Sequence, residues 1–118
     1  MTTQRQQRVA DLIHQQLAVL LKKEVHDPRL ARISLTAVSV SPDLKQAKIF
    51  YTLLESEDRK AIQKALDKAI GYFRRLLAEA TALRYVPQLQ FAYDESLERT
   101  EKISSLINRA LKNDDDNE

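Results

Sequence analysis

A single glycine stands among 118 residues, and it falls inside the longest helical pattern of the chain. Glycine-rich phosphate loops and dinucleotide fingerprints each need several glycines at fixed spacing, so one glycine excludes both. Its position constrains the fold further. Ala61, Ile62, Ala65, Leu66, Ala69, Phe73, Leu76, Leu77 and Ala80 keep helical three-and-four spacing across Gly71, which predicts either one kinked helix or two helices sharing a face. A glycine inside a helix costs about 1 kcal/mol relative to alanine. Two readings offset that cost: a kink or close backbone approach that serves binding, or a close helix contact that serves packing. Ala61, Ala65 and Ala69 are small enough to let this segment lie close against a neighbour.

The remaining pattern surrounds this segment with shorter elements. Val9, Leu12, Ile13, Leu17, Leu20, Leu21 and Val25 form one apolar face of a first helix over residues 4 to 25, with Thr3 and Gln6 at capping-box spacing and His26-Asp27-Pro28 ending it. Residues 33 to 40 alternate, slip phase at Ala37-Val38, and alternate again, as a bulged strand does. Ser41-Pro42-Asp43-Leu44 supplies a turn, and Ala47, Ile49, Tyr51 and Leu53 mark one face of a second, antiparallel strand. Ser56 followed by Glu57 and Asp58 predicts the start of the bent helix, with both acids in its first turn. Pro87 is tolerable only at a strand start or edge, so Leu89 to Tyr93 reads as a third strand. Leu97, Ile103, Leu106, Ile107, Ala110 and Leu111 describe a last amphipathic helix. The order helix, strand, strand, bent helix, strand, helix predicts an α+β fold with a three-stranded sheet and helices on one face.

Charge is distributed unevenly along this framework. Residues 1 to 84 carry 15 Lys/Arg against 9 Asp/Glu, a net +6, whereas residues 85 to 118 carry 4 against 8, a net −4. The acidic end, residues 112 to 118, is expected to be disordered. The absence of cysteine removes thiol catalysis, disulfides and cysteine-ligated metals, and His14 and His26 lack partners at metal-ligand spacing. No segment approaches the length of a signal peptide core or membrane span, so a soluble, unexported protein is expected. Nothing points to an enzyme or a cofactor. A basic body fits either an ordinary solvated surface with a solubilising acidic end or an anionic partner, and in the second case cations that neutralise phosphates give a salt-sensitive affinity through counterion release. Lys68, Arg74 and Arg75 lie nearest Gly71, while Arg5, Arg8, Arg29, Arg32, Lys45, Lys48 and Arg84 are candidates that only folding brings together. Tyr72 is placed to stack on a base, and Phe73 falls on the core stripe.

Four motifs carry a family resemblance. Asp27-Pro28-Arg29-Leu30, Val40-Ser41-Pro42-Asp43-Leu44 with Ala47-Lys48, Ala69-Ile70-Gly71-Tyr72-Phe73-Arg74, and Leu83-Arg84-Tyr85-Val86-Pro87-Gln88-Leu89-Gln90-Phe91 with Tyr93-Asp94 resemble, in order and spacing, the bacterial ribosome-binding factor A family. The resemblance runs from about Arg8 to Leu111. Ala31 departs from it where the family often has glycine, and Gln88 where glutamate is common. It implies a single K-homology domain of the second topological type over residues 1 to 111, in which an Ala-x-Gly kink at residues 69 to 71 replaces the usual Gly-x-x-Gly loop. It further implies a cytoplasmic, non-catalytic factor that binds the small ribosomal subunit and its ribosomal RNA late in maturation, is linked to growth in the cold, and is a monomer when free. An assembly GTPase is left open as a further partner. K-homology domains clamp a short stretch of backbone at a helix-helix junction, so the candidate RNA-binding set is Ala69 and Gly71 at that junction with the cations named above. The rival reading is a protein-interaction module that docks through its last helix or its open sheet face.

Overall fold

The computed structural model describes residues 2–23, 28–53, 58–96 and 107. The expected helix stop at His26-Asp27, the Ser56-Glu57 start, the last helix and the acidic tail lie outside these residues, Ile107 apart. Helix α1 spans Gln4–Lys23, strand β1 Ile33–Val40, strand β2 Gln46–Leu53, helix α2 Arg59–Lys68, helix α3 Ile70–Ala80 and strand β3 Gln88–Tyr93, with a 3-10 turn at Leu30–Arg32 before β1.

β2 is the central strand. It pairs antiparallel with β1 and parallel with β3, in the order β1-β2-β3. The parallel pairing needs a crossover, and α2 and α3 supply it. The expected bulge is present but sits one residue earlier than the phase slip suggests: the β1 register shifts between Leu35 and Ala37, leaving Thr36 out of the ladder with its hydroxyl donating to Asp94 at 2.6 Å. Pro87 immediately precedes β3, an edge strand, where its missing N–H breaks no ladder bond.

One hydrophobic cluster joins all the elements. Ile13 and Leu17 of α1, Ile49 and Tyr51 of β2, Ile62 and Leu66 of α2, and Phe73 and Leu77 of α3 are fully buried in it, as the spacings predict. The capping box also forms: the Thr3 N–H donates to Gln6 Oε1 at 2.9 Å, and the Gln6 N–H donates to Thr3 Oγ1 at 3.1 Å. Gln6 does more than periodicity foresees, because it is buried and its Nε2 donates to the Val40 carbonyl at 2.9 Å, tying the start of α1 to the end of β1. Ala10 joins the buried face of α1, and Ala80 is exposed rather than part of the core stripe. Asp58 is the N-cap of α2, accepting from the Lys60 and Ala61 amides, instead of an acid within its first turn.

The Ser41–Leu44 turn forms without glycine. Asp43 accepts from the Ser41 hydroxyl at 2.6 Å and from the Lys45 amide at 3.0 Å, and these bonds hold its carboxyl below the usual carboxylate range. The turn is therefore braced above that range and loosens as acidification protonates Asp43. Leu44 takes a positive φ of 62°, a left-handed conformation that bulky residues rarely adopt.

Tyr51 gives a prediction about stability. Its hydroxyl donates to Gln63 Oε1 at 2.6 Å from a fully buried ring, and burial pushes its pKa up. A folded-state pKa above the unfolded value of about 10 stabilises the fold below that pH, and this contribution is lost as pH rises through the folded value. Tyr51→Phe should cost about 1 kcal/mol at neutral pH. Thermal unfolding should show the gap between the two proteins narrowing above pH ~10, since only the parent carries the buried phenol. A gap that stays constant would refute the assignment.

Candidate nucleic-acid interface

The bent helix is two helices meeting at Ala69, whose backbone sits at φ −90° and ψ 0°. The Ala69 amide is shared between the carbonyls of Ala65 (3.1 Å) and Leu66 (3.0 Å), a three-centre arrangement common at helix ends. α3 restarts at Ile70 with no side-chain hydrogen bond from its N-cap Ala69. Gly71 is exposed in that turn, and a Cβ at that position would meet no atom of the described residues within 4 Å. Its φ is not positive either. Among the described residues, neither a close packing neighbour nor backbone strain accounts for the glycine. Ala69 is half-buried and packs against the core.

The two arginines after the kink separate. Arg74 turns inward: its Nε donates to the Pro87 carbonyl at 3.2 Å and its Nη2 to the Val86 carbonyl at 2.9 Å, clamping the loop that leads into β3. Arg75 stays exposed with its guanidinium 5.4 Å from the Tyr72 ring, a cation–π contact. Tyr72 lies at the surface, and Phe73 is fully buried with its ring 5.7 Å from that of Phe91. Lys68 is exposed in the last turn of α2. The kink surface thus carries Lys68, Gly71, Tyr72 and Arg75, while Arg74 is committed to the loop before β3.

The other candidates fall into separate groups. Arg5, Lys45 and Arg84, together with Arg74, line a cleft of about 910 Å³ between the start of α1, the β1–β2 turn and the α3–β3 loop. Lys48 is exposed in a row with Ser39 and Gln90 across the open face of the sheet. The next row, Ala37, Phe50 and Ala92, has one large apolar side chain, a half-buried Phe50 with the Lys48 ammonium 5.4 Å from its ring. Such a face is polar and small-residued, which gives a protein partner little to bury. Arg8 is exposed on α1 outside the cleft, and Arg29 and Arg32 are exposed at the 3-10 turn, where both hold contacts of their own. Tyr85 also lines the cleft and is 82% exposed. Sequence reasoning passed over it, although an aromatic between an arginine and a strand-opening proline, off both periodicities, was a readable signal.

The family model described as ribosome-binding factor A matches residues 5–107. The chain belongs to the ribosome-binding factor A family. A family member from Coxiella burnetii (strain Dugway 5J108-111), named ribosome-binding factor A, is 72% identical over 98% of both chains. The crystal structure of ribosome-binding factor A from Thermus thermophilus superposes with a TM-score of 0.57 over 75% of this chain and 90% of that one, at 20% identity, which speaks to the fold alone. A homology model of the Thermus thermophilus factor, fitted into a cryo-EM map of its 30S complex, gives a TM-score of 0.56 at 26% identity over 71% of this chain and 93% of that one. The fold is accordingly α+β and K-homology-like. Among the described residues no cluster of three or more His, Cys, Asp or Glu converges, and no helix there is long and apolar enough to cross a membrane.

Proposed function

We propose that the chain is an assembly factor for the small ribosomal subunit, contacting the subunit's ribosomal RNA through the surface of the Ala69–Gly71 kink. Gly71 carries this reading: it is exposed, unstrained and, among the described residues, has no neighbour where a side chain would lie, which leaves room for a partner's backbone to approach. An RNA backbone fits that description. It would approach the uncapped start of α3, where helix amides and dipole favour phosphate, with Lys68 and Arg75 on either side. Support comes from family membership and from the Thermus thermophilus factor fitted into its 30S complex. On this reading the chain acts in the cytoplasm, as a monomer when free, by binding and remodelling without turnover, late in maturation and with most consequence for growth in the cold. An assembly GTPase can act beside it.

The kink separates stability from binding. Gly71→Ala is expected to raise the unfolding free energy by about 0.4–1 kcal/mol, because the added methyl meets no neighbour among the described residues and the unfolded chain loses freedom. The same substitution should weaken binding to purified small subunits, and Arg75→Ala should reduce the salt dependence of that binding by about one phosphate contact. Sedimentation of subunits with each variant across a salt series reads both. A Gly71→Ala protein that is stabilised yet binds like the parent would sink the kink as the contact.

A further inference from the structure

The cleft beside the α3–β3 loop is built from three elements far apart in sequence, and its chemistry is mixed in a particular way. Its floor is apolar: Val9, Leu44, Leu83 and Val86 line it and are packed against the core. Its rim is cationic and aromatic, with Arg5, Lys45 and Arg84 all exposed and Tyr85 82% exposed. Asp43 is the one acidic lining residue among those described, and its carboxylate is engaged by the Ser41 hydroxyl and the Lys45 amide. The volume of about 910 Å³ lies within the range of small-ligand pockets.

The walls are held in place. Arg74 fixes the carbonyls of Val86 and Pro87, and the Thr81 side chain bridges the Leu77 carbonyl (2.6 Å) and the Leu83 amide (3.4 Å). Leu44 keeps its left-handed backbone at this same wall, and strained residues of that kind cluster at ligand sites. An exposed tyrosine on a braced loop, sharing one cleft with an apolar floor and with cations from three elements, matches an unstacked nucleotide: ring face for the base, cations for the flanking phosphates.

We infer that this cleft is a second RNA site, distinct from the kink, which takes a single unstacked nucleotide of a single strand with its base on Tyr85 and its phosphates toward Arg5, Lys45 and Arg84. The inference rests on the reading of the chain as an RNA binder. Double-stranded RNA cannot satisfy the site, because its bases are already stacked.

The test uses the full chain with fluorescent short oligoadenylate and oligouridylate, a duplex of the same composition, and purified small subunits. Anisotropy should show single strands binding more tightly than duplex. Tyr85→Ala should weaken single-strand binding about tenfold while leaving its salt slope unchanged, because stacking releases no counterions. Tyr85→Phe should restore it. Arg84→Ala should lower the salt slope by about one. The exposure of both side chains keeps the fold intact, and a thermal melt verifies that. Single-strand affinity equal in Tyr85→Ala and parent overturns the site. So does loss of subunit binding in Tyr85→Ala without loss of oligonucleotide binding, which assigns the cleft to a protein. A parent chain that binds subunits but no oligonucleotide overturns the site and leaves the RNA contact at the kink standing; one that binds neither refutes the functional reading itself.

Discussion

Phe73→Ala is expected to lower the unfolding free energy by about 3–5 kcal/mol, the usual cost of emptying a buried aromatic site. Phe73 is fully buried, with its ring 5.7 Å from that of Phe91 and inclined 60° to it, so one side chain joins α3 to the edge strand β3. Leu77, one turn on, is buried in the same cluster, and the cavity left by truncation would lie between two helices and a sheet that cannot all collapse into it. A domain of this size has roughly 5–15 kcal/mol of stability, so the variant should be marginal. Urea unfolding should show the midpoint falling with little change in slope. The adjacent Tyr72 is 36% exposed and contacts Arg75, and Tyr72→Ala should cost about 1 kcal/mol, well below the loss at Phe73. Comparable losses at the two positions would contradict the assignment of Phe73 to the core and Tyr72 to the surface.

The second large effect belongs to Arg74. Its guanidinium makes charge-assisted hydrogen bonds to the Val86 and Pro87 carbonyls, and such bonds are each worth about 1.5–3 kcal/mol. Arg74→Ala leaves both carbonyls in need of new partners and should cost about 2–3 kcal/mol. Arg74→Lys should recover part of the loss, because an ammonium reaches one carbonyl but cannot span two. The damage should be local to the start of β3, where the Gln88 amide donates to the Lys45 carbonyl at 2.8 Å. Hydrogen exchange at Gln88 should therefore accelerate in Arg74→Ala while exchange at the fully buried Ile49 changes less. Unaltered stability in that variant would remove the clamp from the account. An Arg74→Ala protein that binds RNA poorly would report a displaced loop as much as a missing phosphate contact, which is why Arg75 and Arg84 are the informative substitutions for charge.

The kink illustrates how a sequence signal can be correct in place and open in cause. Spacing across Gly71 allowed one kinked helix or two sharing a face, and the break falls at Ala69, within the expected stretch. Whether the glycine served packing or approach depended on what lies opposite its Cα, and only the fold shows that no described residue comes within 4 Å of a Cβ there. Arg74 and Arg75 were equivalent as letters. Their separation by about 100° around α3 sends one beneath the loop and leaves the other outside. Gln6 was legible as half of a capping box and illegible as the donor to Val40, because the first role is three residues away and the second thirty-four.

What the sequence determined by itself, within the described residues, is the set of elements and the composition of the core. Three-and-four spacing and alternation are consequences of backbone geometry, and burying the faces they define leaves few ways to stack α1, α2 and α3 on one side of a three-stranded sheet. What only the tertiary structure decided is which surface charges stand together. Arg5, Lys45 and Arg84 are separated along the chain by a helix, a hairpin and a crossover, and no periodicity relates them. Surface side chains bury too little for local pattern to fix their neighbours. Their grouping around one cleft follows from the pairing of β3 beside β2, which brings the loop before β3 to the turn before β2.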